Sequence, residues 1–156
     1  NLAAVTSLET RADAARPCFQ LLVYPSTDMT RSMRSHRLFG TGFLLDTKTI
    51  DWFLERYLSR DDEQRHPLAS PYLRDDLAGA PAAYVAPAGF DPLRDEGEAY
   101  ARKLEAAGVA VELRTEEPLI HGFFSMGGIS TESQAAIARA ANALTRALWG
   151  TPVRAS

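Results

Sequence analysis

Residues 82–121 constrain the fold more than any other stretch, because they change character in the order strand, helix, strand, loop. Ala82-Ala-Tyr-Val-Ala-Pro87 is a short apolar run of the kind that forms a strand in a parallel sheet, buried on both faces. It continues through Ala88-Gly89-Phe90 to Asp91-Pro92, where an acidic N-cap and a proline at the first helical position open a helix. That helix shares Leu93, Tyr100, Ala101 and Leu104 on one face and stops at Gly108. Asp95, Glu96 and Glu98 fill its first turns, and Arg102 and Lys103 fall near its end, so its charges complement the helix dipole. Those charges, with Arg94, are explained without any function. Val109-Ala-Val-Glu-Leu-Arg-Thr115 is a further strand, alternating enough to lie near a sheet edge. Glu116–Ile120 then leads into His121, on a loop that Gly122 keeps permissive.

Asp91 thus stands at the C-terminal end of a strand, the edge at which open α/β sheets place their sites, and His121 follows thirty positions later. Asp before His, late in an α/β chain, is the order that ends a Ser…Asp…His hydrolase triad. Imidazole can take a serine proton and return it to a leaving group near neutral pH. A buried carboxylate on its other nitrogen fixes the tautomer and stabilises the imidazolium. By spacing alone the alternative stays open: Asp91 is an ordinary helix cap and His121 a lone loop histidine.

Asp91-Pro92-Leu93-Arg94-Asp95-Glu96-Gly97 followed by His121-Gly122-Phe123 resembles the C-terminal half of the hormone-sensitive-lipase family of α/β-hydrolases. Asn1-Leu2-Ala3-Ala4, Tyr24-Pro25, Trp52-Phe53-x-x-x-Tyr57-Leu58 and Pro67-Leu68-Ala69-Ser70-Pro71 extend the resemblance over nearly the whole chain. It implies a partial α/β-hydrolase fold: a mostly parallel sheet, helices on both faces, and a helical cap segment. It implies Asp91 as catalytic acid and His121 as base, with Asp95 the runner-up acid. It places hydrolase core at residues 1–25, a cap at 26–70, and core again at 71–156. Phe39, Trp52 and Phe123 are the expected substrate contacts, and Met29, Met33 and Phe43 are further aromatic or sulfur-bearing candidates in the cap. No metal and no organic cofactor is implied.

In this family Asn-Leu-Ala follows a Gly-Asp-Ser-Ala-Gly-Gly nucleophile elbow, so the resemblance puts the serine just before Asn1. The expected partners are therefore a small-molecule ester and the N-terminal half of the same enzyme, which carries that serine and the His-Gly-Gly-Gly oxyanion segment. A homo-oligomer is possible. Without that half, the chain is expected to expose strand edges and apolar surface and not to be a stable monomer.

The rest of the chain fits. Leu2, Val5 and Leu8 repeat every three residues to about Arg11, a helix with no start signal. Its N-terminal N–H groups would help hold an oxyanion. Cys18-Phe-Gln-Leu-Leu-Val-Tyr24, closed by Pro25, reads as a central strand with Cys18 an inert buried thiol. Residues 26–35 are polar and basic and show no strong period, and Phe39, Phe43, Leu44 and Leu45 follow. Asp46-Thr47 then starts an amphipathic helix with Ile50, Phe53, Leu54, Tyr57 and Leu58 on its stripe and Trp52 off it. These aromatics either close a local core or form a cap over a pocket. Ser59 to Asp76 is charged and proline-punctuated, a connection. Thr131-x-x-Gln134 resembles a capping box for a last helix with Ile137, Ala141, Leu144 and Leu148 buried, ending at Gly150 and Pro152. His36 and His66 read as surface residues, and Gly40-x-Gly42 and Gly127-Gly128 as turns.

Composition closes several classes. A net charge of −3 over 156 residues gives no reason to expect nucleic acid or an anionic membrane. One cysteine excludes an internal disulfide. No run approaches the roughly 20 apolar residues of a membrane span, and the absence of a leader pattern leaves the cytoplasm as default. The expected activity is hydrolysis of short- to medium-chain carboxylic esters. Its rivals are a non-catalytic binding or scaffold protein on the same fold, and a peptidase or amidase.

Overall fold

The computed structural model describes residues 1–150, so Pro152 lies outside the described residues. In chain order the elements are α1 (Leu2–Glu9), β1 (Phe19–Val23), α2 (Arg34–Phe39), α3 (Thr47–Tyr57), β2 (Ala82–Ala86), β3 (Ala88–Phe90), α4 (Arg94–Ala106), β4 (Val111–Leu113), β5 (Glu116–Ile120) and α5 (Thr131–Trp149). All strand pairs are parallel, in the order β1-β2-β4, with β3 alongside β5. Arg114 N–H bonds Val85 O and Glu116 N–H bonds Pro87 O, so β2–β3 and β4–β5 run side by side as two interrupted strands. The sheet is covered on both faces. Leu22, Ala83 and Val85 meet Ala4 and Leu8 of α1 and Tyr100, Ala101 and Leu104 of α4. Tyr84, Ala86 and Ala88 point the other way, against Ala136, Ala140 and Ala143 of α5. This is the period of two that sends neighbouring strand residues to opposite faces.

Several expectations need correction. Among the described residues β1 pairs with β2 on one side and with no strand on the other. Cys18 precedes the first ladder bond and is exposed, not buried. Leu2 is 65% exposed although Val5 and Leu8 of its stripe are buried. Glu116–Ile120 is a strand, drawn out by pairing with β3; the three residues of β3 there span five of β5, and Pro118 sits exposed in the resulting bulge. α2 was not visible in the sequence, which lacks an apolar period there. The last helix is capped by Ser130, whose Oγ accepts the Ser133 N–H at 3.1 Å, one residue before the expected box. Its buried face is Ser133, Ala136, Ala140 and Ala143, one position off the larger residues. Small side chains let the helix lie close to the sheet, which leaves Ile137 and Leu144 half-buried at its flanks and Ala141 and Leu148 exposed.

β3 and β5 approach so closely that only glycine fits at position 89. A Cβ there would stand 2.1 Å from the Glu117 carbonyl oxygen, and backbone cannot swing aside. Gly89→Ala is expected to cost about 3 kcal/mol through overpacking. Thermal unfolding should register this as a fall of roughly 6–12 °C in Tm.

Candidate active site

Because β3 and β5 are parallel, their C-terminal ends reach the same edge of the sheet, and the residues that follow them meet there. After β3, Asp91 turns the chain toward α4. Its Oδ1 accepts the Leu93 N–H at 2.8 Å, an Asx turn that fixes the carboxylate before the helix begins at Arg94. After β5, His121 enters a turn carried by Gly122 in the left-handed region, φ +83°. The second Asp91 oxygen, Oδ2, lies 2.8 Å from His121 Nδ1. The Asp91 side chain is 1% exposed and that of His121 24%. A carboxylate oxygen accepts, so Nδ1 is the donor in this bond, and in the neutral imidazole that leaves Nε2 with its lone pair. Asp95 is not the partner: its Oδ2 accepts the Ser35 N–H at 2.8 Å and its other oxygen meets Arg94.

Beside His121 runs a groove of about 200 Å³, walled by Met29, Leu45, Ile50, Phe53, Leu54 and Leu93. Asp46 caps α3 by accepting the Thr49 N–H at 2.7 Å, as the sequence indicated. α3 buries Ile50 and Leu54 but leaves Phe53 56% exposed, and these three with Tyr57, four of the five stripe residues, line this groove. A larger, more polar cleft of about 370 Å³ between Arg31, Asp51, Arg60 and Asp61 reaches neither Asp91 nor His121.

None of the three expected substrate contacts lines the groove. Phe39 packs on Phe43 and Phe90 with the Arg94 guanidinium over its ring. Trp52 faces outward beneath Arg56 because it lies off the α3 stripe. Phe123 is fully buried, since the turn at Gly122 sends it into the core against Tyr24 and α5. Among the cap candidates, Met29 does line it.

His36 corrects a further expectation. Its side chain is only 9% exposed, its Nε2 lies 2.7 Å from Glu96 Oε2, and it lines the groove. Glu96 is fully buried, with Oε1 accepting from the N–H groups of Thr27 and Asp28 and the Ser26 hydroxyl. A helix-dipole charge by sequence, it is a clamp in three dimensions, joining α4, α2 and the loop after β1. Sixty residues separate His36 and Glu96, so no spacing signal could have paired them. His66 is exposed, as expected.

Burial pushes the Glu96 carboxyl above its ordinary 4.5, against lowering by His36 and the Asp28 and Thr27 N–H groups. The folded chain therefore holds that proton more tightly than the unfolded one. The resulting stability is fully present below 4.5 and is lost as pH rises through the raised value. Denaturant unfolding of the native protein and Glu96→Gln across that window should show the falling slope in the first and not in the second.

Residues 1–125 match the family described as the alpha/beta hydrolase fold. The chain belongs to that family. Within it, the chain stands with the hormone-sensitive-lipase group that its late motifs resemble. It is 52% identical to carboxylic ester hydrolase LipN of Mycobacterium tuberculosis (strain ATCC 25618 / H37Rv) over 116 residues, 72% of this chain and 31% of that protein. It is 35% identical to ethyl acetate hydrolase of Pseudomonas putida over 141 residues, 90% of this chain and 44% of that one. The crystal structure of EstE1, a thermophilic carboxylesterase from a metagenomic library, superposes with a TM-score of 0.88 at 35% identity, covering 94% of this chain and 51% of EstE1. The chain thus spans about a third to a half of the length of these relatives. Among the described residues no helix is long and apolar enough to cross a membrane.

Proposed function

We propose that the chain carries the base and the acid of a serine carboxylic-ester hydrolase for short- to medium-chain acyl esters, with the serine supplied by polypeptide outside it. One observation carries this reading: the 2.8 Å bond between His121 Nδ1 and a buried Asp91 carboxylate, with the ring beside an apolar groove. The names of the relatives support ester hydrolysis. A groove of about 200 Å³, below the usual size for drug-like ligands, supports short chains.

In this mechanism His121 Nε2 takes the serine proton as the oxygen attacks the ester carbonyl, and Asp91 holds the imidazolium. N–H groups at the start of α1 help bind the oxyanion. The imidazolium then protonates the departing alkoxide, leaving an acyl-serine. Water, deprotonated by the same nitrogen, releases the acid. Residues 26–70 act as a cap whose Met29, Leu45 and Ile50 hold the acyl or alcohol chain. A homo-oligomer is part of the proposal, supported by the exposed Ile129 and Trp149, and sedimentation velocity tests it.

The test of function is hydrolysis of p-nitrophenyl acetate, butyrate, octanoate and palmitate by the polypeptide that includes the serine. Rates are expected to be highest for the shorter esters and to collapse at palmitate. No turnover of any ester, with the groove still binding a non-hydrolysable ester analogue, would leave the binding-protein reading instead.

A further inference from the structure

We infer that Tyr24 is a positioning residue for His121, its ring forming a fixed aromatic platform that favours the imidazolium over the neutral imidazole. The inference rests on His121 acting as the base, as proposed above. The Tyr24 and His121 ring centroids are 4.4 Å apart, with an interplanar angle of 47°. A cation within about 6 Å of a ring centroid is attracted by the negative face of the ring. The charge that develops on His121 during proton transfer falls inside that range.

Two further observations separate this from ordinary packing. Tyr24 adopts φ +38°, a left-handed conformation that bulky side chains rarely take. Such outliers persist where the surroundings impose them, often at functional sites. Here the Tyr24 N–H is held to the Ala86 carbonyl at 2.9 Å, extending the β1–β2 ladder, while Pro25 restricts the chain after it. The ring is also braced: the fully buried Phe123 meets it in a T-shaped contact at 5.2 Å. The Tyr24 hydroxyl bonds none of the described side chains, so what the strained backbone achieves is the ring contact. Burial and the nearby Asp91 charge push the phenol above its ordinary value, which keeps the platform neutral. The other ionisable groups around the imidazole are Asp91 after β3 and, along the groove, His36 of α2 on Glu96 of α4, Tyr57 of α3, and Asp28 and Arg31 of the loop after β1.

The test places phenylalanine, leucine and phenylalanines of increasing ring fluorination at position 24 in the serine-containing polypeptide. Fluorine drains the ring face of electron density at nearly constant shape. Tyr24→Phe should keep most of kcat, and Tyr24→Leu should lower it about 3- to 30-fold with KM within about twofold. Each added fluorine should lower kcat further. NMR of the His121 ring protons should show proton uptake moving to lower pH in the same order. Should the protein hydrolyse no ester, the functional reading falls, and the NMR order alone upholds or overturns the platform. Equal kcat and equal proton uptake for phenylalanine and leucine, or no trend with fluorination, would overturn it. If Tyr24→Leu does not fold, the isosteric fluorinated series decides.

Discussion

His121→Ala in the serine-containing polypeptide is expected to lower kcat for ester hydrolysis by about 10⁴- to 10⁶-fold, with KM within a few-fold. The size follows from what the imidazole does twice in each cycle. It removes the serine proton during attack and returns it to the leaving alcohol, and its neighbours are poorly placed to replace it: Asp91 is buried and accepts the Leu93 N–H, and His36 is engaged by Glu96. What survives is the stabilisation of the oxyanion and of substrate binding, which does not depend on the base. Its loss leaves the buried Asp91 carboxylate without its Oδ2 partner, so a fall on the order of 1–3 kcal/mol in stability should accompany the loss of rate, far too small to account for it. His66→Ala is the matched control, because that ring is exposed and, among the described residues, accepts the Leu68 N–H alone. Steady-state rates on p-nitrophenyl butyrate decide it. A variant within tenfold of the parent polypeptide would remove His121 from the chemistry.

The pairing of Asp91 and His121 was legible because both belong to a local pattern: a cap before Pro92 and a histidine before Gly122. Strand β2, helix α4 and helix α3 were legible for the same reason, since a period or a cap announces each. What failed was whatever depends on contacts remote in the chain. Glu96 and His36 each look solvated on their own elements, and only the packing of α2 over α4 buries them together. The inner face of α5 was misjudged because hydrophobicity pointed to Ile137 and Leu148, while the sheet accepts a row of alanines that permits close approach. Strand β5 was missed because Pro118 argues against a strand, and a bulge opposite β3 is what accommodates it. The aromatic side chains are placed by contacts of another kind. Phe39, Trp52 and Phe123 are the right residue types for a pocket, but their directions come from a cluster with Phe90, the outer face of α3 and the turn at Gly122.

Asp91→Asn separates the two readings that the sequence left open, and its expected effect is a loss of about 10⁴-fold in kcat. If Asp91 were only a helix cap, asparagine would serve as well as aspartate, and activity would be unchanged. The site makes two demands on the carboxylate instead: Oδ1 accepts from Leu93 N–H and Oδ2 from His121 Nδ1. Asparagine has one acceptor. With its oxygen kept on Leu93, its NH₂ faces Nδ1, which must then give up its proton; the hydrogen moves to Nε2, and the imidazole can no longer accept from serine. With the amide flipped, two donors confront each other at Leu93 in a position 1% exposed, a clash that costs on the order of 1–3 kcal/mol of stability. The first arrangement is therefore preferred, and the protein should stay folded with the wrong tautomer. Near-parent Tm with kcat down by orders of magnitude, and a His121 ring NMR spectrum reporting hydrogen on Nε2, is the expected combination. Full activity in Asp91→Asn would return Asp91 to the role of a cap.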